Sequence, residues 1–283
     1  MVVFPNCKIN LGLTVLNKRE DGYHNIETIF FPLPLKDALE IVNNDVSQPA
    51  ITFTVSGLPI QADPLNNLCV KAYYLLKEDF PGLPPIKMHL HKAIPMGAGL
   101  GGGSADAAFT LTLLNQKYEL SLSSNQLLEY AARLGSDCPF FILNEPCAGT
   151  GRGEILSPVP VNLSGYQLLL IYPAIHVSTG HAFLHFGKNS LTGAAKNFYT
   201  KKSIAEVIAQ PVQTWKEELI NEFEIPVFAR HPEIKKIKDL LYANGAIYAS
   251  MSGSGSAVYG LFSKNSRPII DCPANSLTRY FSF

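Results

Sequence analysis

The sequence predicts an α+β fold in two domains, and three observations lead to that prediction. The first sixty residues hold short apolar runs joined by polar turns, which is the pattern of strands. Helical patterns follow groups of strands and do not alternate with them one by one, which favours α+β over a doubly wound sheet. The length of 283 residues fits about two domains of ~150 residues. Pro158 and Pro160 mark the expected boundary, which divides the chain into domains 1–160 and 161–283.

The elements of the first domain follow from the spacing of apolar side chains. Two strands flank a polar turn at residues 17–22, and the next two continue the same pattern. Leu68, Leu75 and Leu76 share one face at helical spacing, which predicts a helix there. Ser104 is expected to be the N-cap of the helix that follows a glycine-rich segment. In chain order the predicted strands are residues 8–16, 25–33, 39–42, 51–55 and 86–91, and the predicted helices are residues 67–78, 105–115 and 124–134.

The second domain is predicted to begin with a buried strand and to continue with helices and then strands. A Gly/Ser loop separates its last two strands, and no element is assigned to the tail after Phe262. The predicted strands are residues 166–172, 247–249 and 257–262, and the predicted helices are residues 215–223 and 232–242.

Composition and charge exclude several classes of function. Lys and Arg total 23, as do Asp and Glu, so the chain lacks the basic footprint expected for binding duplex nucleic acid or an anionic membrane. The N-terminus lacks the features of a signal peptide, and the longest apolar run, residues 166–172, is too short to cross a bilayer. Five cysteines without a Cys-x-x-Cys pair disfavour a disulfide framework or a zinc site. We therefore predict a cytoplasmic protein that acts on a small molecule and binds neither nucleic acid nor a membrane.

A glycine-rich segment at residues 95–104 is the strongest chemical signal in the sequence. Its five glycines let the backbone approach a ligand closely, and the helix N-terminus after it attracts an anion, so a phosphate chain is the expected ligand. The segment ends in Gly-Gly-Ser and lacks the lysine of a Walker A loop. Two alternatives stay open: a dinucleotide-binding Gly-x-Gly-x-x-Gly starting at Gly97, and a glycine turn that only packs tightly. The segment comprises Pro95, Met96, Gly97, Ala98, Gly99, Leu100, Gly101, Gly102, Gly103 and Ser104.

This segment resembles the glycine loop of the GHMP kinase superfamily, and further segments carry the same resemblance in family order. They are residues 5–11 (PNCKINL), 19–24 (REDGYH), 134–141 (LGSDCPFF) and 251–256 (MSGSGS), with a weaker match at 151–154 (GRGE). Cys7 departs from the alanine that is usual in the family. The resemblance implies an N-terminal ribosomal-protein-like domain, a C-terminal ferredoxin-like domain and a site between them. It also implies a small-molecule kinase that uses ATP, with Mg²⁺ expected, to phosphorylate an alcohol.

The resemblance assigns the catalytic roles to Lys8 and Asp137. Asp137 would accept the proton of the acceptor hydroxyl, and Lys8 would face Asp137 and draw the charge of the hydroxyl oxygen. Each has a plainer interpretation, Asp137 as a helix N-cap and Lys8 as an exposed strand lysine. The match of the whole motif around Asp137 and the apolar neighbours of Lys8 favour the catalytic interpretation.

For the nucleotide, the resemblance implies that the glycine segment holds ATP, with Asn67 and Lys92 at positions that the family uses nearby. Asn67 could equally start a helix and Lys92 could equally be a solvated strand end, so both alternatives stay open. Asp106 is expected to complement the helix dipole, and no protein ligand for Mg²⁺ is predicted.

Residues 19–24 resemble the branch of the superfamily whose acceptor carries a cytidine diphosphate group. Tyr23 and Phe183 would stack on the cytosine, and His24 would read its edge. Asn10 and Thr179 would contact the remainder of the substrate. The plainer interpretations are a core aromatic for Phe183 and a polar hairpin turn for residues 23–24.

Three other functions are kept as alternatives. A kinase acting on mevalonate or homoserine would not need the Tyr23-His24 segment, and a non-catalytic nucleotide-binding homologue would not need both Lys8 and Asp137. A dinucleotide-dependent oxidoreductase would be revealed by quenching of Trp215 fluorescence by NAD(P)H.

Overall fold

The computed structural model describes residues 1–45, 47, 49–60, 66–180, 182–183 and 202–283. In chain order its strands are β1 (Val2–Val3), β2 (Asn6–Lys18), β3 (His24–Lys36), β4 (Ala38–Asn43), β5 (Ile51–Gly57), β6 (Ile86–Lys92), β7 (Cys147–Thr150), β8 (Ile155–Pro158), β9 (Tyr166–Tyr172), β10 (Tyr248–Met251), β11 (Val258–Ser263) and β12 (Leu277–Ser282). Its helices are α1 (Leu68–Asp79), α2 (Gly102–Lys117), α3 (Ser124–Leu134), α4 (Cys138–Leu143), α5 (Ile204–Ile208), α6 (Trp215–Glu218), α7 (Glu224–Arg230) and α8 (Pro232–Ala243). Residues 179–180 and 182–183 are helical as well. In the described ranges, no helix has the length and apolar character needed to span a membrane.

The strands and helices follow one another in groups along the chain, which confirms the α+β prediction. The chain divides into two compact units, each made of separate segments. Unit 1 consists of Met1–Lys8, Pro32–Met96 and Gly101–Glu145. Unit 2 consists of Ile9–Phe31, Gly97–Leu100 and Pro146–Phe283. The divisions fall inside β2, inside β3 and inside the glycine segment, so the single boundary after residue 160 stays a prediction.

Unit 1 is a sheet of strand order β1-β4-β6-β5 with helices on one face. Strand β6 pairs antiparallel with β4 and parallel with β5. Its residues alternate between buried and exposed positions, which places Ile86, Met88 and Leu90 on one face, as the period of two in a strand requires. These side chains enter a buried cluster with Leu76 of α1 and Leu111 of α2. Burial of this shared face is what holds α1 and α2 against the sheet.

Three of the helices in unit 1 begin in different ways. The side chain of Asn67 accepts a hydrogen bond of 2.9 Å from the backbone nitrogen of Cys69 and starts α1. Ser123 and Gln126 form a reciprocal capping box at the start of α3. Helix α2 begins after Gly101, which adopts a left-handed conformation. The prediction of Ser104 as the N-cap of this helix is therefore wrong, because the glycine turn lets the helix start earlier.

Unit 2 contains an antiparallel sheet of strand order β10-β11-β9-β12. Strand β9 lies inside this sheet and contributes Leu169 and Ile171 to a buried cluster with Ile234, Ile237 and other apolar residues of the unit. Strand β12 pairs with β9 in the register Phe281↔Leu168, although the sequence assigned no element to this tail. Its alternation is too short to predict a strand without knowledge of the neighbouring strand.

The predicted helix at residues 215–223 is only partly correct. Helix α6 ends at Glu218, and the chain then runs extended to form a bridge between Asn221 and Leu13. The backbone nitrogen of Leu13 donates to the Ile220 carbonyl over 2.9 Å, and the Glu222 nitrogen donates to the Leu13 carbonyl over 2.9 Å. This pairing with β2 outweighs the local helical pattern, because intrinsic propensity is a weak preference that tertiary contacts override.

A third sheet has the strand order β2-β3-β7-β8, and the sequence predicted neither β7 nor β8. Strand β7 pairs antiparallel with β3 in the register Thr28↔Gly149. A side chain at Gly149 would place its Cβ 2.5 Å from the ring of Phe30. The small residues of β7 therefore leave room for Phe30, but they also remove the apolar alternation by which a strand is predicted.

We predict that Leu76→Ala lowers the free energy of unfolding by about 2–5 kcal/mol, because it empties a position in the core of unit 1. The measurement is denaturant unfolding, with Lys71→Ala on the exposed side of the same helix as the control. Equal effects of the two substitutions would contradict the packing described here.

Candidate active site

The glycine segment takes left-handed backbone conformations at three positions. The φ angles of Gly97, Gly99 and Gly101 are +64°, +75° and +70°, values that side chains disfavour. At Gly99 space is also restricted, since an added Cβ would overlap the carbonyl oxygen of Ser252. The Ser252 hydroxyl in turn donates a 2.8 Å hydrogen bond to the Gly99 carbonyl. The segment is therefore a fixed structure that only glycine can form at these positions.

Within unit 1 the segment leads into the N-terminus of α2. Gly101 has no side chain to cap this helix, so the backbone N–H groups of its first turn are not occupied by a capping side chain. The helix dipole adds positive potential at the same place. Ser104 lies in this first turn, two residues after the start of the helix. The arrangement is suited to holding an anionic group such as phosphate.

The remaining residues of the segment support its shape. Ala98 and Leu100 are each 1% exposed, and the Ala98 carbonyl accepts a 3.0 Å hydrogen bond from the Ala257 nitrogen. Pro95 is buried as well, whereas Met96 is exposed. The side chains of Pro95, Ala98 and Leu100 therefore pack inward, and the bond to Ala257 helps to hold the backbone of the segment in place.

Lys8 and Asp137 meet in unit 1. Lys8 lies near the start of β2, where its side chain is 4% exposed, and its Nζ is 3.3 Å from Oδ2 of Asp137. The interpretation of Lys8 as an exposed strand lysine is therefore wrong. Asp137 occupies the N-cap position of α4 but makes no capping hydrogen bond with its side chain, which is 31% exposed. Its carboxylate is thus available both to the buried ammonium group and to solvent.

The two predicted nucleotide contacts outside the glycine segment have other partners in the structure. The Asn67 side chain caps α1, as the plainer interpretation proposed. The Lys92 ammonium group is buried and bonded to Asp37 and to Asp106, so Lys92 is not a solvated strand end. The sequence did not reveal Asp37, because a carboxylate between two strands carries no motif.

In unit 2, Asn10 and Thr179 each bond to another side chain. Asn10 is 1% exposed, and its Nδ2 donates to the Thr28 hydroxyl over 2.9 Å. The hydroxyls of Thr179 and Ser254 lie 2.8 Å apart. Asn221 was not predicted, yet its Nδ2 donates to the carbonyls of Met251 and Gly253 and so fixes the shape of the Gly/Ser loop at residues 251–256.

The aromatic residues predicted to bind a base also lie in unit 2. The rings of His24 and Phe183 stack with centroids 5.1 Å apart and planes 15° apart. Burial, with a smaller effect from the charge of Lys18, lowers the pKa of His24, which favours the neutral ring. Tyr23 is 58% exposed, and the Arg152 guanidinium group lies 5.1 Å from its ring centroid. Phe183 contacts the core as well, so its two interpretations are compatible.

Two protein-family models match this chain, one after the other along the sequence. The model for the GHMP kinases N terminal domain matches residues 67–145, and the model for the GHMP kinases C terminal domain matches residues 204–270. A protein of Bacteroides fragilis named 4-diphosphocytidyl-2-C-methyl-D-erythritol kinase is 52% identical over 263 residues, which is 93% of this chain and 92% of the relative. The chain belongs to the GHMP kinase family. It is a small-molecule kinase, and the dinucleotide-binding alternative for the glycine segment is wrong.

Two further comparisons agree with this assignment. A Cytophaga hutchinsonii protein of the same name is 49% identical, with 95% of this chain and 94% of the relative covered. The crystal structure of a 4-(cytidine 5'-diphospho)-2C-methyl-D-erythritol kinase superposes with a TM-score of 0.73 and 30% identity, covering 92% of this chain and 90% of that one. Mevalonate kinase of Methanococcus jannaschii, with a TM-score of 0.68 at 14% identity, shares the fold. The GHMP kinase fold predicted from the sequence is confirmed.

We predict that Gly99→Ala lowers the free energy of unfolding by about 1–3 kcal/mol, because it combines a left-handed φ with an overlap onto Ser252. Gly103→Ala is the matched control, since its Cβ would meet only Met96 Cε at 3.9 Å. In the helix this control is expected to gain about 0.5–1 kcal/mol. Thermal and denaturant unfolding measure the stability of both variants. An unchanged free energy of unfolding in Gly99→Ala would contradict the description of the loop as fixed.

Proposed function

We propose that this GHMP kinase transfers the γ-phosphoryl group of ATP to the 2-hydroxyl of 4-diphosphocytidyl-2-C-methyl-D-erythritol, in the non-mevalonate route to isoprenoid precursors. The observation that carries the proposal is the 52% identity, over 93% of the chain, to a relative of that name. The chain's own Lys8 and Asp137 support it, because they form the pair that such a transfer needs.

Asp137 is the proton acceptor of this proposal. Its carboxylate, 31% exposed, takes the proton of the 2-hydroxyl as that oxygen attacks the γ-phosphorus and the bond to ADP breaks. Lys8 holds the carboxylate in place through the 3.3 Å contact and places a positive charge near the developing alkoxide. Phosphoryl transfer demands positioning and charge stabilisation more than covalent chemistry, and a buried ammonium group supplies both.

The glycine segment is the proposed phosphate-binding element. The backbone N–H groups at the start of α2, where no side chain caps the helix, would hold the phosphates of ATP. Magnesium, when it accompanies ATP, neutralises charge on the phosphate oxygens. In the part of the chain that the structure describes, no cluster of three His, Cys, Asp or Glu side chains could hold a metal ion. Phosphates and water are the expected ligands of Mg²⁺ in this proposal.

The cytidine group would be bound by unit 2. The ring of Phe183, against which His24 is stacked, and the exposed ring of Tyr23 offer flat surfaces on which a cytosine can stack. The ring nitrogens of His24 can pair with the base edge, while Asn10 and Thr179 would contact the phosphate and methylerythritol part. Mevalonate and homoserine have no base, so these rings would be without a role in kinases for those alcohols.

Asp137→Asn and Lys8→Met are each expected to lower kcat by about 10²–10⁴-fold, because each removes one of the two charges at the reacting oxygen. Release of ADP in the presence of the cytidylated substrate measures the effect. Asp239→Asn, which changes an exposed carboxylate paired with Lys235, serves as the control and is expected to retain full kcat. Near-normal turnover in Asp137→Asn would eliminate it as the base.

Tyr23→Ala is expected to raise the KM for the cytidylated substrate while leaving the KM for ATP unchanged, because only the substrate loses a stacking surface. Stacking is worth ~1–3 kcal/mol per base, which corresponds to about 5- to 150-fold in KM. Tyr280→Ala, another exposed aromatic of unit 2, is the matched control. Turnover of mevalonate or homoserine in place of the cytidylated substrate would refute the assignment of the substrate.

A further inference from the structure

Three buried charged side chains form a network in unit 1, beside the N-terminal part of α2. It consists of Asp37, which follows β3, Lys92 at the end of β6, and Asp106 in α2, with 1%, 1% and 2% of their surfaces exposed. The Lys92 ammonium group donates to Oδ2 of Asp37 and, over 2.7 Å, to Oδ2 of Asp106. Such burial of three charged groups is costly, and it is tolerated only where the groups compensate one another.

The network contacts the chain just before the glycine segment and again near the end of that segment, at Gly102. On the entry side, Oδ1 of Asp37 accepts hydrogen bonds of 2.6 Å and 2.9 Å from the backbone nitrogens of Ala93 and Ile94. On the exit side, an added Cβ at Gly102 would lie only 3.2 Å from Lys92 Nζ. The first residue of α2 thus packs directly on the ammonium group. The positions of residues 93–94 and of the α2 N-terminus are therefore both set by these three side chains.

The charges of the network do not cancel when both carboxylates are ionised. Burial raises the pKa of Asp106 to about 7, Lys92 opposes this shift, and the neighbouring Asp37 carboxylate adds to it. Oδ1 of Asp106 is buried and, among the described atoms, has no hydrogen-bond partner, so the bond from Lys92 to Oδ2 is the hydrogen bond that compensates a negative charge on this carboxylate. For Lys92, burial lowers the pKa but the two carboxylates outweigh it, so the ammonium group stays charged. The Cys69 thiol on α1 also faces the network, and burial keeps it protonated by raising its pKa.

We propose that Asp37, Lys92 and Asp106 are positioning residues for ATP, in which Asp37 and Lys92 fix the glycine segment and a proton on Asp106 strengthens phosphate binding. The inference rests on the proposed phosphate-binding role of that segment. With the proton the network is neutral, and without it the network carries one negative charge in the first turns of α2. A negative charge at that place opposes the attraction of the helix N-terminus for phosphate. Lys92 is thereby assigned to support of the loop, because its ammonium group is enclosed by carboxylates.

The two carboxylates are expected to respond in opposite directions to the same substitution. Asp106→Asn keeps an oxygen for Lys92 and removes the charge, so ATP affinity at pH 8.5 is expected to rise by about two- to fivefold. Asp37→Asn has one acceptor oxygen in place of two and cannot serve both Lys92 and the backbone of residues 93–94. Its ATP affinity is expected to fall by about five- to tenfold. Lys92→Met would leave two buried carboxylates without their cation, and this variant protein is expected to unfold.

The test is isothermal titration of the full chain with ATP and excess magnesium, at pH 6.5 and pH 8.5, without the second substrate. Wild type is expected to bind ATP more weakly at pH 8.5, and Asp106→Asn is expected to bind equally at both. Asp79→Asn, an exposed carboxylate at the end of α1, is the control and should follow wild type. Unfolding curves of each variant separate a change in affinity from a loss of folded protein.

Three results would overturn the inference. Asp106→Asn could retain the pH dependence of wild type, it could bind ATP more weakly at both pH values, or Asp37→Asn could bind ATP as wild type does. Any of these leaves the kinase assignment intact, because the second substrate is absent from the experiment. Failure of wild type to bind ATP would overturn the proposed function together with this inference.

Discussion

A buried ammonium group needs carboxylates that compensate its charge, and unit 1 buries two such groups, those of Lys8 and Lys92. Lys8 and Lys92 differ in what their partners leave accessible. The partner of Lys8 is Asp137, whose side chain is 31% exposed, whereas Lys92 is enclosed by two carboxylates that are nearly inaccessible. The same physical requirement therefore produces a partly accessible ion pair at one lysine and an enclosed network at the other.

The parts of the fold that follow from local periodicity were predictable from the sequence. Helix α3 occupies the predicted residues 124–134, and β6 extends one residue beyond its prediction. Elements that depend on a distant partner were not predictable. Strand β12 exists because β9 has an edge to pair with, and residues 219–221 leave the helical conformation because Ile220 and Glu222 form backbone hydrogen bonds with Leu13. A single sequence contains the residues that pair, but it does not show which distant residues pair with each other.

The candidate site shows the same division between motif and geometry. The resemblance predicts that Lys8 faces Asp137, because both lie in motifs of the family, and their side chains are 3.3 Å apart. The immediate sequence neighbours of Ser104 and Lys92 do not indicate where these two side chains lie. Ser104 looks like a cap, but the left-handed Gly101 starts the helix first. Lys92 looks like a solvated strand end, because nothing near it in the sequence reveals the carboxylate of Asp37, which is 55 residues away.

The bonds between the glycine segment and the Gly/Ser loop have a consequence for synthesis on the ribosome. The partners of Ala98 and Gly99 are Ala257 and Ser252, and the second pair is separated by 153 residues. A nascent chain that has emerged only as far as α4 contains Lys8, Asp137 and all ten residues of the glycine segment. It still lacks the contacts that hold residues 97–100 in shape. The proposed phosphate-binding loop is therefore complete only after residues 252–257 have been synthesised.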